Sequence, residues 1–267
     1  MLIHSFLISV AITCIFPLLW MVSSSLKTQE TIFKDMSLLP GKLHFENYYL
    51  ALKEGNFGRY FFNSIGYTTL VVMGIVIIAS LAAYAFSRLR FPGRNILFFM
   101  FMVAMMIPIP GSFVPLYVLL NKLHLRNTAF GYILCMINVG LSTSIFLLKT
   151  FFDKLPRELE DAARIDGCSK FGIWWYVALP LAKPVLAVVV VFNALNVWNE
   201  YILALIIFDS KALMPLQVAL MAFQGEFITR YPLLMAGLTI TALPIIIIYL
   251  LMQKYIIKGV TQGAIVG

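Results

Sequence analysis

Charge is what this 267-residue sequence has least of: Asp, Glu, Lys and Arg together make up 12% of it, about half the share found in soluble domains. Cysteine is also scarce. Cys14 and Cys135 fall inside apolar runs and Cys168 in a polar stretch, which excludes a disulfide framework. His4, His44 and His124 are far apart, so no metal site is expected. A Gly-x-x-x-x-Gly-Lys-Ser/Thr phosphate loop does not occur, and the chain is expected to bind no nucleotide or other cofactor itself. No nucleophile, base and metal set converges, so no catalytic residue is assigned and no enzyme is expected.

What the sequence has in abundance is apolar runs. Hydrophobic residues make up 61% of it, in blocks long enough to reach the roughly 20 residues that cross a bilayer. The blocks are continuous rather than alternating, which excludes a β-barrel and leaves helices as the elements that satisfy their own backbone in lipid. The expected fold is therefore all-α: a polytopic bundle of six transmembrane helices forming a single domain over 1–267. The spans fall at about 2–22, 63–86, 96–120, 129–152, 184–208 and 233–255. Pro108, Pro110 and Pro115 predict kinks or unwound turns in the third. The first is read as a retained span rather than a secretory signal, because no basic segment precedes it and its apolar run exceeds 7–15 residues.

The formal net charge is +8. In a soluble protein that balance would suggest nucleic acid, but here the bases sit in short connections. With both termini cytoplasmic, inner segments hold eleven of the twenty Lys and Arg. The turn bearing Arg88, Arg90 and Arg94 is the best indicator, since the positive-inside rule acts most reliably on short loops.

The polar connection at 153–183 should form a helix-turn-helix on the cytoplasmic side. Pro156 suits the opening of a helix, and Glu158, Glu160 and Asp161 suit its positive end. Gly167 suits a C-terminal stop, Ser169 the N-cap of a second helix, and Leu179-Pro180 the end of that helix. From spacing alone, this can be an amphipathic pair lying on the membrane face or a surface for a partner.

Asp161-Ala162-Ala163, Asp166-Gly167, Phe171, Leu179-Pro180 and Pro184 resemble the EAA loop of ABC importer permeases. Ser24-Ser25-Leu26-Lys27, Trp198-Asn199-Glu200-Tyr201 and Gly259-Val260-Thr261-Gln262-Gly263-Ala264 resemble the carbohydrate-uptake, maltose-type branch. The resemblance implies a subunit of a binding-protein-dependent importer in the cell membrane. Its partners would be a second permease, a dimer of ATPase subunits carrying ATP and Mg, an extracytoplasmic solute-binding protein and membrane lipid. It implies ATPase coupling through Asp161, Ala162, Ala163, Asp166 and Gly167. Asp161 stands where the family has Glu, and the neighbouring Glu160 is a substitute for that role.

In the fifth span, Asn193, Asn196, Asn199 and Glu200 occupy an arc of about 120° on a helix. They form either a solute pathway or interhelical hydrogen bonds. Asn138, Ser142, Thr143 and Ser144 in the fourth span are further candidates. A secondary transporter and an importer for a non-sugar solute are the alternatives. The first requires repeats in matching halves, and none is evident.

Overall fold

A computed structural model of the chain describes residues 2–53, 57–106, 109–221, 223 and 229–264. The helices are, in order, α1 (Leu2–Ser25), α2 (Glu46–Lys53), α3 (Phe57–Arg88), α4 (Arg94–Ala104), α5 (Phe113–Lys122), α6 (Ala129–Lys154), α7 (Glu158–Ile165), α8 (Lys170–Ile173), α9 (Leu179–Leu181), α10 (Lys183–Asn199), α11 (Ile202–Ile207), α12 (Leu216–Met221) and α13 (Tyr231–Ala264). Short 3-10 turns at Ile109–Ser112 and Lys211–Leu213 and a π turn at Trp174–Ala178 join some of them.

Among the described residues four helices are long and apolar enough to cross a membrane: α1, α3, α6 and α13. A fifth crossing is available if the helix at 170–181 and α10, bent by 79° where they meet, count as one. The expected third span is not one helix. It divides into the short apolar helices α4 and α5, with Pro110 in the 3-10 turn between them. Pro115 does not kink α5, because it stands in the first turn, where a missing N–H costs nothing. Pro108 lies outside the described residues. The expected fifth span is also shorter than read, for α10 ends at Asn199 and Glu200 is extended (φ −75°, ψ 131°). Leu179-Pro180 does not end the helix that follows Ser169. The π turn widens the backbone just before the proline ring, and the helix continues to Leu181.

The helices gather into two compact units, residues 1–63 with 214–247 and residues 64–213 with 248–267. In the first, the Ser24-Ser25-Leu26-Lys27 motif pins the segment after α1. Lys27 is fully buried. Its ammonium donates to the carbonyls of Asp35 and Ser37 at 2.5 and 2.8 Å and sits 4.9 Å from the Trp20 ring. Two of its three donors thus go to carbonyls, and the charge lies by the ring rather than in a carboxylate ion pair. The Asn47 amide then donates to the carbonyls of Ser25 and Lys27, which fixes the start of α2.

In the second unit α6 packs closely on α10. Asn193 of α10 is buried and donates to Ser144 Oγ (2.9 Å), while Ser144 donates to the Gly140 carbonyl (2.7 Å). A Cβ at Gly140 would fall 2.1 Å from Asn193 Oδ1 and 2.6 Å from Ile75, so the contact requires glycine. Nearer the start of α6, Tyr67, Tyr132 and Phe208 form an aromatic cluster. Gly140→Val should therefore cost about 1–3 kcal/mol through overpacking. Its thermal unfolding midpoint in detergent should fall below the wild-type value; an unchanged midpoint would show that the helices do not meet there.

Candidate functional site

Two places gather the chemistry. The first is the polar connection after α6. Arg157 precedes α7, and Pro156 stands one residue earlier, ahead of the helix rather than in its first turn. The C-terminus closes as a Schellman motif: Cys168 N–H bonds to Ala163 O (2.9 Å) and Gly167 N–H to Arg164 O (3.0 Å). This geometry places Gly167 at φ +84°, the left-handed region that only glycine enters without strain. Ser169 then caps the next helix by accepting from Gly172 N–H (3.2 Å).

An eight-residue helix is marginal in water, and α7 is held from behind. Glu160 is buried, with Oε1 2.9 Å from Arg88 Nε. Nη2 of the same guanidinium donates to the carbonyls of Phe152 and Leu155 at 2.5 and 2.6 Å. Those carbonyls belong to the last turn of α6 and its cap, beyond the reach of i+4 helix bonds; that of Phe152 also accepts from the Leu155 N–H (3.2 Å). One arginine at the end of α3 thus binds both the end of α6 and the middle of α7. Ser87 adds a hydrogen bond to Asp153 (2.6 Å), which is also paired with Lys149.

The predicted coupling residues separate accordingly. Glu160 and Ala163 face inward, whereas Asp161, Ala162, Asp166 and Gly167 are exposed. Glu160 is therefore placed on Arg88 and not beside Asp161 on the open face. Asp161 pairs on the surface with Arg164 (3.0 Å). Around these lie apolar side chains that composition alone does not single out: Ile165 is 87% exposed and Phe171 62%. Sequence reasoning also missed Arg88, reading it only as a topological charge.

The second place is a cavity of about 580 Å³ bordered by α4, α5, α6, α10 and α11. Asn138, Ser142 and Thr143 from α6 and Asn196 from α10 give it polar groups among apolar ones that include Leu116 and Leu119. The Asn stripe does not act as one surface. Asn193 is turned onto Ser144 and the Val189 carbonyl, so it joins helices. Asn199 is exposed and donates to the Leu195 carbonyl. Glu200 departs from the expected face because the helix has ended; both its carboxylate oxygens accept from Leu203 N–H (3.0 and 3.1 Å) and cap α11. Ser144 is likewise structural. Among the described residues no three His, Cys, Asp or Glu side chains come together in a way that could hold a metal.

Apolar helices long enough to cross a membrane, a cavity that sets a few polar side chains among apolar ones and an anchored helical loop fit a membrane permease. The family model for "Binding-protein-dependent transport system inner membrane component" matches residues 74–262. The chain is 37% identical to the probable ABC transporter permease protein YurM of Bacillus subtilis, covering 98% of this chain and 87% of that protein. It is 30% identical to the arabinooligosaccharides transport system permease protein AraQ of the same organism (98% and 94%). Identity is 33% with the trehalose transport system permease protein SugB of Mycobacterium tuberculosis (94% and 92%). Among solved structures, a bacterial ABC transporter involved in the import of the acidic polysaccharide alginate contains a similar chain. The TM-score is 0.84 and the identity 26%, over 96% of this chain and 95% of that one. The chain belongs to the family of binding-protein-dependent transport system inner membrane components, the permease subunits of ABC importers.

Arg88→Met would leave buried Glu160 with only the exposed Arg164 guanidinium, 3.9 Å away, as a counter-charge, at a cost approaching the roughly 3–5 kcal/mol of a broken buried pair. Arg88→Met with Glu160→Met should recover a large part of that loss, though not the part owed to the two carbonyls. Unfolding midpoints of the wild type, both single variants and the double variant measure the coupling; additive losses would mean that the pair does not form.

Proposed function

We propose that this chain is one of two related permease subunits in an ATP-driven importer of carbohydrate. The observation that carries the reading is the exposed apolar surface of α7 and the helix after it, anchored from behind by the buried Arg88–Glu160 pair. A helix held so firmly on one side and left open on the other suits a handle for a moving partner. The sugar class is supported by the arabinooligosaccharide and trehalose permeases among the relatives.

Six crossings are read: α1, α3, α4 with α5, α6, α10 with α11, and α13. Both termini are cytoplasmic, as are the turn at 88–94 and the loop at 153–183, a helix-turn-helix that couples the spans to the ATPase. A soluble binding protein delivers the sugar from outside. Asn138, Ser142, Thr143 and Asn196 offer hydrogen bonds to its hydroxyls in the cavity, which the second permease completes. Two ATPase copies carry ATP and Mg and grip one loop on each permease, here through Asp161, Ala162, Asp166, Gly167 and the neighbouring Ile165. Closure of the ATPases displaces α7, and Arg88 transmits that displacement to the ends of α3 and α6. Nothing covalent happens to the sugar.

The test is Gly167→Val. No atom lies within 4 Å of a Cβ built there, so the penalty is backbone strain of about 1–2 kcal/mol, too little to unfold the bundle. ATP-dependent uptake of labelled oligosaccharide into vesicles should be lost while the variant remains inserted at wild-type level. Normal uptake would remove the loop from the mechanism.

A further inference from the structure

The turn between α3 and α4 holds a feature that coupling does not use. Arg90 and Arg94 of that turn and Arg157, just before α7, line one recess of about 530 Å³ together with Gly93 and Asn95. The Arg94 guanidinium is braced by the Leu89 carbonyl (3.2 Å) and the Asn95 side-chain oxygen (3.4 Å). Among the described residues none of the three arginines pairs with a carboxylate. Three unneutralised guanidiniums around one recess call for an anion. Gly93 enters α4 in the left-handed region (φ 78°), and no side chain caps that helix, so its positive end adds to the same field.

An apolar stripe begins at this recess. Ile96, Phe99, Met100 and Val103, spaced i, i+3, i+4 and i+7, are 70%, 67%, 61% and 41% exposed. The opposite face of α4 sets Phe98 and Phe101 against Phe86, with ring centres 5.8 and 6.0 Å apart. The stripe is thus an outer face, about 10 Å long at 1.5 Å per residue, with three cations at one end.

We propose that the recess and the stripe bind an anionic phospholipid. Its phosphate-bearing headgroup sits among Arg90, Arg94 and Arg157, and its acyl chains lie along Ile96, Phe99, Met100 and Val103. An acidic protein segment would neutralise the arginines but would not follow an apolar stripe into the hydrocarbon, whereas a lipid carries both parts at this spacing. Basic recesses between membrane helices are suited to such headgroups. Because Arg157 stands at the base of α7, the lipid ties the α3–α4 turn to the coupling loop. That consequence, and the choice of cytoplasmic leaflet, rest on the function proposed above; the site does not.

The experiment uses the full chain in its assembled complex, purified in detergent and titrated with phosphatidylglycerol or phosphatidylcholine under native mass spectrometry. The wild type should retain phosphatidylglycerol and release phosphatidylcholine. A basic group near a headgroup is worth a factor of about five, so R90Q/R94Q/R157Q should weaken retention on the order of a hundredfold. I96S/F99S should weaken it through the acyl chains with all three arginines in place. Equal retention by the arginine variant, or equal retention of the two lipids, would overturn the site. So would unchanged lipid binding accompanied by loss of the ATPase from the purified complex, which would assign the arginines to a protein partner. Selective retention by the wild type supports the site whether or not the complex takes up sugar, so the two readings fail separately.

Discussion

One guanidinium holds α7 to the ends of two longer helices. Arg88 closes α3, pairs with the Glu160 carboxylate of α7 and donates to two carbonyls at the end of α6. Each of those groups would be costly if left buried and unpaired. The arrangement therefore resists partial loosening, since moving α7 away from α3 would separate the buried Glu160 carboxylate from the Arg88 guanidinium, which α6 holds in place through its two carbonyls. A displacement of α7 is then cheaper to absorb as a tilt of α3 and α6 than as a rupture of the contact. The anchoring follows from desolvation and needs no special rigidity in the helices.

The same cost governs where the chain breaks its helices. Backbone groups cannot be left open in lipid, and several of the interruptions carry their own acceptor or close on themselves. Glu200 caps α11 with its carboxylate, Ser169 caps the helix after the turn, and Gly167 lets the end of α7 close on itself. Thr128 does the same for α6 by accepting from Gly131 N–H. Polar side chains in the middle of the second unit are shared between two tasks. Asn193 and Ser144 bind α6 to α10 across Gly140, and Asn138, Ser142, Thr143 and Asn196 are left to face the cavity.

Local features were legible from the sequence and distant pairings were not. The four long helices follow from apolar length. Gly167 and Ser169 were readable because a helix end is decided by a few adjacent residues. The prolines of 108–115 announced an interruption without indicating that two short helices would flank a 3-10 turn. The Asn stripe misled because an arc of about 120° is wide enough to meet both a neighbouring helix and a cavity. It also assumed that the helix continued past Asn199. Glu160 looked like a dipole-facing acid of a first turn, since nothing near it in sequence points to Arg88.

The central claim is that the open face of α7 lies in the cytosol against a nucleotide-hydrolysing partner. The direct measurement replaces Ile165 with cysteine in a background where Cys14, Cys135 and Cys168 are serine. A membrane-impermeant maleimide should label that cysteine in inverted vesicles and not in intact cells. A thiol cross-linker should join it to the ATPase subunit, with a yield that changes between nucleotide-free and ATP-bound states. Labelling from outside the cell, or no cross-link in any nucleotide state, would contradict the account.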